Sequence, residues 1–343
     1  MTARLATLRE RISRFALVGL LVGLLLALAI HDLSSEGDLS RLGNNLVDGI
    51  SNGSIWALVA VGYTLVYGIV ELINFAHGDV FMIGSFVAVG LYTTLGLGLA
   101  TAAPLLILGL LVILVIAAVA SASLNVMIER VGYRPLRNAP RLAPLITAVG
   151  FSFILQNVGL LWLGGSPASV PDLIRSQTEL VEIGGVSITR GDALAILAAA
   201  PLVIGLIVFV ARTRMGRAMR ATAQDPEAAR LMGINVDRTI SATFLLGGLM
   251  AGAAGLIYAL YQTTVWYFQG FTAGLLAFTA AVMGGIGNLR GAVLGGLIIG
   301  VIQQTSDNRI GSEWTPAVVF GFLVVIMVLR PQGLLGEETR QAG

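Results

Sequence analysis

Residues 62–90 read GYTLVYGIVELINFAHGDVFMIGSFVAVG. The stretch is apolar enough to lie in a bilayer, yet Glu71, Asn74, His77 and Asp79 fall within nine residues near its middle. An ionisable side chain in hydrocarbon costs about 2.5–3.5 kcal/mol on insertion scales, so such groups face a protein interior or a wet path. Gly62, Gly68, Gly78 and Gly84 suit an interrupted helix or close helix packing. Two readings stay open from spacing alone. The polar residues line a solute pathway on a broken span, or they cap two helices at the cytosolic surface.

Composition sets the class. Hydrophobic residues make up 56% of the 343-residue chain and charged ones 12%, against about 25% charged in a soluble domain. The expected fold is therefore all-α: a polytopic transmembrane helical bundle. There is no cysteine, which excludes disulfides and thiolate sites. The two histidines, His31 and His77, form no HExxH, so no metal site and no catalytic residue is expected. All 21 basic residues are arginine. Without lysine the chain lacks the group that a Walker A loop places beside the phosphates. Any ATP that drives it must be hydrolysed by another polypeptide, and no cofactor is expected here.

Residues 1–42 are read as a basic cytosolic N-terminus, an extra first span (Phe15 to Ile30) and an acidic external loop. Ala27-Leu28-Ala29 resembles a signal cleavage site, but the span is taken as a retained helix. Residues 43–335 form the transmembrane domain, and 336–343 a cytosolic tail. Apolar spans follow at about 46–70, 79–98, 104–127, 142–163, 191–211, 239–261, 273–287, 291–305 and 315–329. A crossing needs about 20 residues. The two short spans around GGIGNLRGAVLGG (284–296) are expected to be half-helices or a re-entrant pair. The count is thus about eight to ten. Seventeen arginines fall on the side of both termini and four (Arg41, Arg175, Arg190, Arg309) on the other, so both termini are expected in the cytosol. This topology puts Glu71 to Asp79 toward the cytosolic ends of two spans, unless the helix breaks deeper.

Three smaller expectations complete the pass. LVEIGGVSI (180–188) is predicted to form a hairpin around Gly184-Gly185. A weak internal echo aligns residues 77–81 with 290–294. Trp56, Trp162, Trp266 and Trp314 read as interfacial anchors, and Gln156-Asn157 and Gln303-Gln304 as bonds between helices.

The longest cytosolic connection, 212–238, contains TRMGRAMRATAQDPEAARLMGINVDR. Asp225-Pro226 reads as an N-cap and first helical residue, with Gly233 past the helix end. Glu227-Ala228-Ala229 with Gly233 resembles the E-A-A-x-x-x-G loop of ABC-importer permeases, without the I-x-L-P tail of the fullest motif. Together with LVYGIVELINFAHGDVFMIGSF and FTAAVMGGIGNLRGAVLGGLIIG, this resembles the branched-chain amino-acid permease family of bacterial ABC importers, in the subunit type carrying INFAHGD.

The resemblance implies an inner-membrane permease that pairs with a second homologous permease, two cytosolic ATPase subunits and a periplasmic substrate-binding protein. It has no nucleic-acid partner and no enzymatic activity of its own. It further implies that Gly216, Arg217, Arg220, Asp225, Glu227, Ala228, Ala229 and Gly233 belong to the ATPase-coupling loop. Asn74, Phe75, His77 and Asp79 are expected to line or brace the translocation path, with Glu71 bracing it. Branched-chain amino acids are the expected solutes. Urea or short amides, carried by similar permeases, are the alternative. An ion-coupled carrier would need no arginine-rich dock. An intramembrane hydrolase is disfavoured because His77 and Asp79 lie on different helix faces.

Overall fold

The computed structural model describes residues 19, 22–35, 37–137, 139–140 and 142–336. Arg4, Arg9, Arg11, Arg14, the start of the Phe15–Ile30 span, Arg141 and the tail beyond Gly336 lie outside the described residues. Among the described residues, five helices are long and apolar enough to cross a membrane: α2 (Ser40–Val70), α4 (Ala103–Ile128), α5 (Leu142–Leu163), α6 (Arg190–Arg212) and α9 (Val236–Gln262). α4 runs on through a π-helical turn (Glu129–Tyr133) and a short 3-10 turn (Arg134–Leu136). Shorter helices are α1 (Val22–Ser35), α3 (His77–Thr94), α10 (Gln269–Gly284) and α12 (Thr315–Leu329), with α11 (Leu289–Arg309) between the last two. α7 (Arg214–Gln224) and α8 (Pro226–Leu231) lie at the arginine-rich end.

α2 and α9 are the central pair. In each, 72% of the most apolar window is buried, against 28% in α4, α5 and α6. What lets these helices approach is glycine at four-residue spacing. Gly49 and Gly53 of α2 face Val301 and Leu297 of α11, and Gly296 and Gly300 face back onto Ala57 and Gly53. Gly248 and Gly252 of α9 press on Ala118, Ser121 and Ala122 of α4 in the same way. These two antiparallel seams have matching places in the bundle. α3 packs on α4, α5 and α9, as α10 packs on α11, α12 and α2. Helices α2–α5 and α9–α12 thus share one order of contacts with opposite directions, an inverted-topology repeat.

Four expectations need correction. α11 has 21 residues and lies alongside α2 through Gly296, Leu297, Gly300 and Val301, with Gly287 just before it against Gly68, so it is no re-entrant half-helix. The repeat pairs α3 with α10, so the echo of 77–81 with 290–294 is out of register. Residues 71–76 leave the helix and climb back into the bundle, where His77 lies against Gly62. Gly62 is eight residues above the α2 terminus, about 12 Å along the axis, so the break is deep in the membrane. Trp56 is no interfacial anchor. It is buried between Phe81 and Tyr258 and donates its indole N–H to Gln303 at 2.6 Å.

At the far end, β2 (Glu179–Ile183) and β3 (Val186–Thr189) form the predicted hairpin. Gly184 and Gly185 both have positive φ (58° and 78°), as a two-residue primed turn requires. Asn44 ties the hairpin to α2, donating to Gly185 O and accepting from the Ser187 amide. A second ladder joins β1 (Ala168–Ser169) to β4 (Thr264–Val265).

Candidate translocation site and coupling surface

Two half-helices meet inside the bundle. α3 starts at His77 after the 71–76 break, and α10 starts at Gln269 after the non-helical residues that follow α9. Their first turns touch: Gly78 faces the Gly270 carbonyl and Gly274, and Asp79 lies over Gly270. Both N-termini therefore bring their positive dipole ends to one point within the bundle.

The polar residues of the organising stretch divide by exposure. Asn74, His77 and Asp79 are buried. Ser152 of α5 donates to Asp79 Oδ2 at 2.5 Å, and Gln156 donates to Ser152 at 3.0 Å. Asp79 Oδ1, both nitrogens of His77 and Nε2 of Gln269 make no well-formed hydrogen bond among the described residues. His77 instead meets the edge of Tyr63, 5.6 Å between ring centres. Glu71 is exposed and ends α2 in the left-handed conformation, φ 54°, with its amide donating to Tyr67 O.

Phe75 is 36% exposed and stands beside Phe278, 6.4 Å between rings. Phe271, Gly274 and Phe278 fall at i, i+3 and i+7 of α10, which puts them on one face. Tyr63 closes the same cluster against Phe278 at 5.8 Å. A separate cavity of about 650 Å³ lies between α2, α6, α7 and the start of α11, lined by Thr64, Gly68, Arg220, Asn288 and Arg290 among others. The sequence reading missed Tyr63, Gln269, Phe271 and Phe278. For the three on α10 the signal was the shortness of the 273–287 span and its flanking glycines.

Asn74 also anchors the break. Its amide donates to Asn125 Oδ1 at 3.2 Å, and Asn125 donates to Phe244 O at 2.7 Å. Tyr133 donates to Ile73 O and Asn74 Oδ1 at 3.2 and 3.3 Å. Tyr133 ends the π-helical turn that Glu129 begins. Buried Glu129 accepts from Ser241 at 2.7 Å and pairs with Arg137, which pairs in turn with Asp237 of α9. Arg134 adds a 3.0 Å bond to Asp237. Two polar clusters, joined by the backbone of the π-helical turn Glu129–Tyr133, therefore lie between the start of α9 and the broken segment.

Asp237 lies at the end of the expected coupling loop, 212–238. There Asp225 caps α8, accepting from the amides of Glu227 and Ala228 at 2.8 and 2.9 Å, with Pro226 in the first turn. Gly233 has φ 81°, which lets the chain reverse after the helix. Ala229 is buried, while Glu227 and Ala228 face outward. Thr213 caps α7 by accepting from Gly216, whose face is closed by Val210. Arg220 donates to Val210 O, and Arg217 to Arg212 O at 3.5 Å. Leu231 and Met232 are 89% and 82% exposed. This leaves a bare apolar tip on an otherwise charged loop, and sequence reading passed over it.

Residues 45–328 match the family model described as branched-chain amino acid transport system, permease component. The chain belongs to this permease family. The high-affinity branched-chain amino acid transport permease BraD of Pseudomonas aeruginosa is 39% identical over 294 residues, covering 85% of this chain and 95% of BraD. LivH of Escherichia coli K12, named for the same kind of system, is 40% identical over 295 residues, covering 85% and 94%. The permease is accordingly a membrane transport component and not an enzyme. The broken α2–α3 pair, the half-helix α10 and the α7–α8 loop all fall inside the matched region.

Proposed function

We propose that this permease translocates branched-chain amino acids across the bacterial inner membrane as one subunit of an ATP-binding-cassette importer. A periplasmic binding protein delivers the solute, a second homologous permease completes the membrane unit, and two cytosolic ATPases hydrolyse ATP. Both termini lie in the cytosol. The observation that carries the reading is the meeting of α3 and α10 at Gly78 and Gly270, beside the aromatic face of Phe75, Phe271 and Phe278. Discontinuous helices whose N-termini meet within the membrane are where transporters place their solute sites. The names of BraD and LivH support the solute class.

In this reading Phe75, Phe271 and Phe278 line the path and offer an apolar surface to a leucine-like side chain. Asn74, His77 and Asp79 lie behind them and brace the break, and Glu71 sits at its open edge. α8 docks on an ATPase through Glu227, Ala228, Leu231 and Met232, while Gly216, Arg217 and Arg220 hold α7 beneath it. ATP-driven movement of α8 passes through Asp237, Arg137 and Glu129 to Tyr133 and so to the 71–76 segment. The test is uptake of labelled leucine into proteoliposomes holding the full complex. Uptake that needs ATP, binding protein and this chain together is expected. Leucine uptake without ATPase subunits, driven by a proton or sodium gradient, would overturn the assignment.

A further inference from the structure

The 650 Å³ cavity between α2, α6, α7 and the start of α11 falls within the range of small-molecule sites, about 300–1,000 Å³. Leu65, Ile69, Ile207 and Met219 give it apolar walls. Its charged lining is of one sign. Arg220 enters from α7 and Arg290 from the first turn of α11, and no carboxylate is among the described residues that line it. Neither guanidinium has an acid partner among the described residues. Arg220 gives one donor to Val210 O, out of the five that a guanidinium carries.

Two further features meet at the same space. Thr64 of α2 lines the cavity and is fully buried, yet its hydroxyl has no hydrogen-bond partner among the described residues. A buried hydroxyl left unpaired is costly, so one that borders a cavity marks a place for a guest oxygen. The 21-residue α11 also begins here. Asn288 caps it by accepting from the amides of Arg290 and Gly291 at 3.0 and 3.1 Å, and Leu289 and Arg290 bring the positive end of the helix to the cavity.

We propose that this cavity binds a small monocarboxylate with a branched apolar tail and no ammonium group, and that its occupancy slows import. The 2-oxo acids left when branched-chain amino acids lose their nitrogen are of this class. The lining selects it. A carboxylate takes the guanidinium donors and the Thr64 hydroxyl, while the tail covers Leu65, Ile69 and Met219. An inorganic anion would leave those walls wet, and an uncharged hydrocarbon would leave the arginines unanswered. The ammonium of an amino acid would meet two like charges with no carboxylate to offset them.

The effect on import follows from where the arginines stand. Arg220 is on α7, which leads into α8, and Arg290 is on α11, which packs along α2. A ligand that needs both favours the state in which they face one space, and by linkage it opposes any stroke that parts α7 from α11. This effect rests on the import reading given above; the binding does not.

The test is equilibrium dialysis of labelled 4-methyl-2-oxopentanoate against the purified permease–ATPase complex without binding protein, paired with leucine uptake by the full complex in proteoliposomes. Saturable binding is expected. Neither 4-methylpentanamide, which keeps the tail without the charge, nor inorganic phosphate, nor leucine should displace it at equal concentration. On the ATPase side the oxo acid should lower ATP-driven uptake about fivefold, an ordinary coupling between two sites. Arg290→Gln and Thr64→Val should each weaken binding about tenfold, as loss of a hydrogen bond to a charged group does. Both should import at the parental rate without the acid, because Arg290 has no acid partner to lose and the Thr64 hydroxyl no partner at all. Absence of binding, binding that both variants leave unchanged, or displacement by any of the three competitors overturns the site. Binding with no effect on uptake overturns the control of import. A complex that imports no leucine at all would sink the import reading instead, and the dialysis would still decide the site.

Discussion

Gly78 and Gly270 meet so closely that a Cβ on Gly78 would lie 2.1 Å from the Gly270 carbonyl oxygen. On Gly270 it would lie 2.5 Å from Asp79 Oδ1 and 2.8 Å from the Asp79 Cα. The obstacles are largely backbone, which cannot swing aside. Gly78→Ala and Gly270→Ala should each cost at least about 1–3 kcal/mol, the usual penalty for overpacking, and lower folded yield. Gly90, on the same helix as Gly78, has nothing within 4 Å of an added Cβ. Gly90→Ala should fold normally, as read by detergent thermal-shift and size-exclusion profiles. Equal behaviour of the three variants would show that the half-helices do not touch.

Phe75→Ala should open a leak. Phe75 and Phe278 stand ring beside ring, and if they close the path, removing one ring leaves a gap in an apolar barrier. Leucine should then cross proteoliposomes slowly without ATP, above the parental background. An unchanged passive flux, with normal ATP-driven uptake, would remove Phe75 from the path.

Tyr133→Phe removes only the hydroxyl that bonds Ile73 O and Asn74 Oδ1. The stability cost should be about 0.5–1.5 kcal/mol per bond, small enough for the complex to assemble. If the polar chain from Asp237 transmits the ATPase stroke, transport should fall several-fold while ATP hydrolysis persists. Loss of both in proportion would point to simple destabilisation instead. Asn74→Leu is a harsher change, because it strands Asn125 as well as Tyr133, and it should reduce yield as well as rate.

Leu231→Asp should weaken binding of the ATPase subunits about tenfold, the effect of losing a modest interface anchor of about 1–2 kcal/mol. The exposed position predicts no loss of folded permease. Glu227→Arg should add about 0.3–1 kcal/mol of unfavourable charge at the first turn of α8 and uncouple transport. Pull-down of the ATPases by each variant checks both expectations, and parental affinity in both would move the dock elsewhere.

What was legible in the sequence was local. The Gly184-Gly185 turn, the Asp225-Pro226 helix start and the polar break near Asn74 each carry their cause within a few neighbouring residues. The depth of the break was not legible, because 71–76 could equally end at the membrane surface. Only the contact of His77 with Gly62 settles it. Trp56 looked like an anchor because its partners, Gln303 and Tyr258, are distant in the chain. The partners of Asn74 lie 51 and 59 residues away, beyond any spacing rule. α10 hid for another reason: Gly270 and Gly274 look like the glycines of any packed helix until α3 is placed against them.

The two glycine seams have one more consequence. Along each, backbone lies close against backbone, so α2 with α11, and α9 with α4, should each move as a single blade. Two blades related by a pseudo-dyad leave few independent movements, and the place where α3 touches α10 lies between them like the rivet of a pair of scissors. If the blades rock about that point during transport, parting them toward one face of the membrane brings them together toward the other, so both mouths would not gape at once.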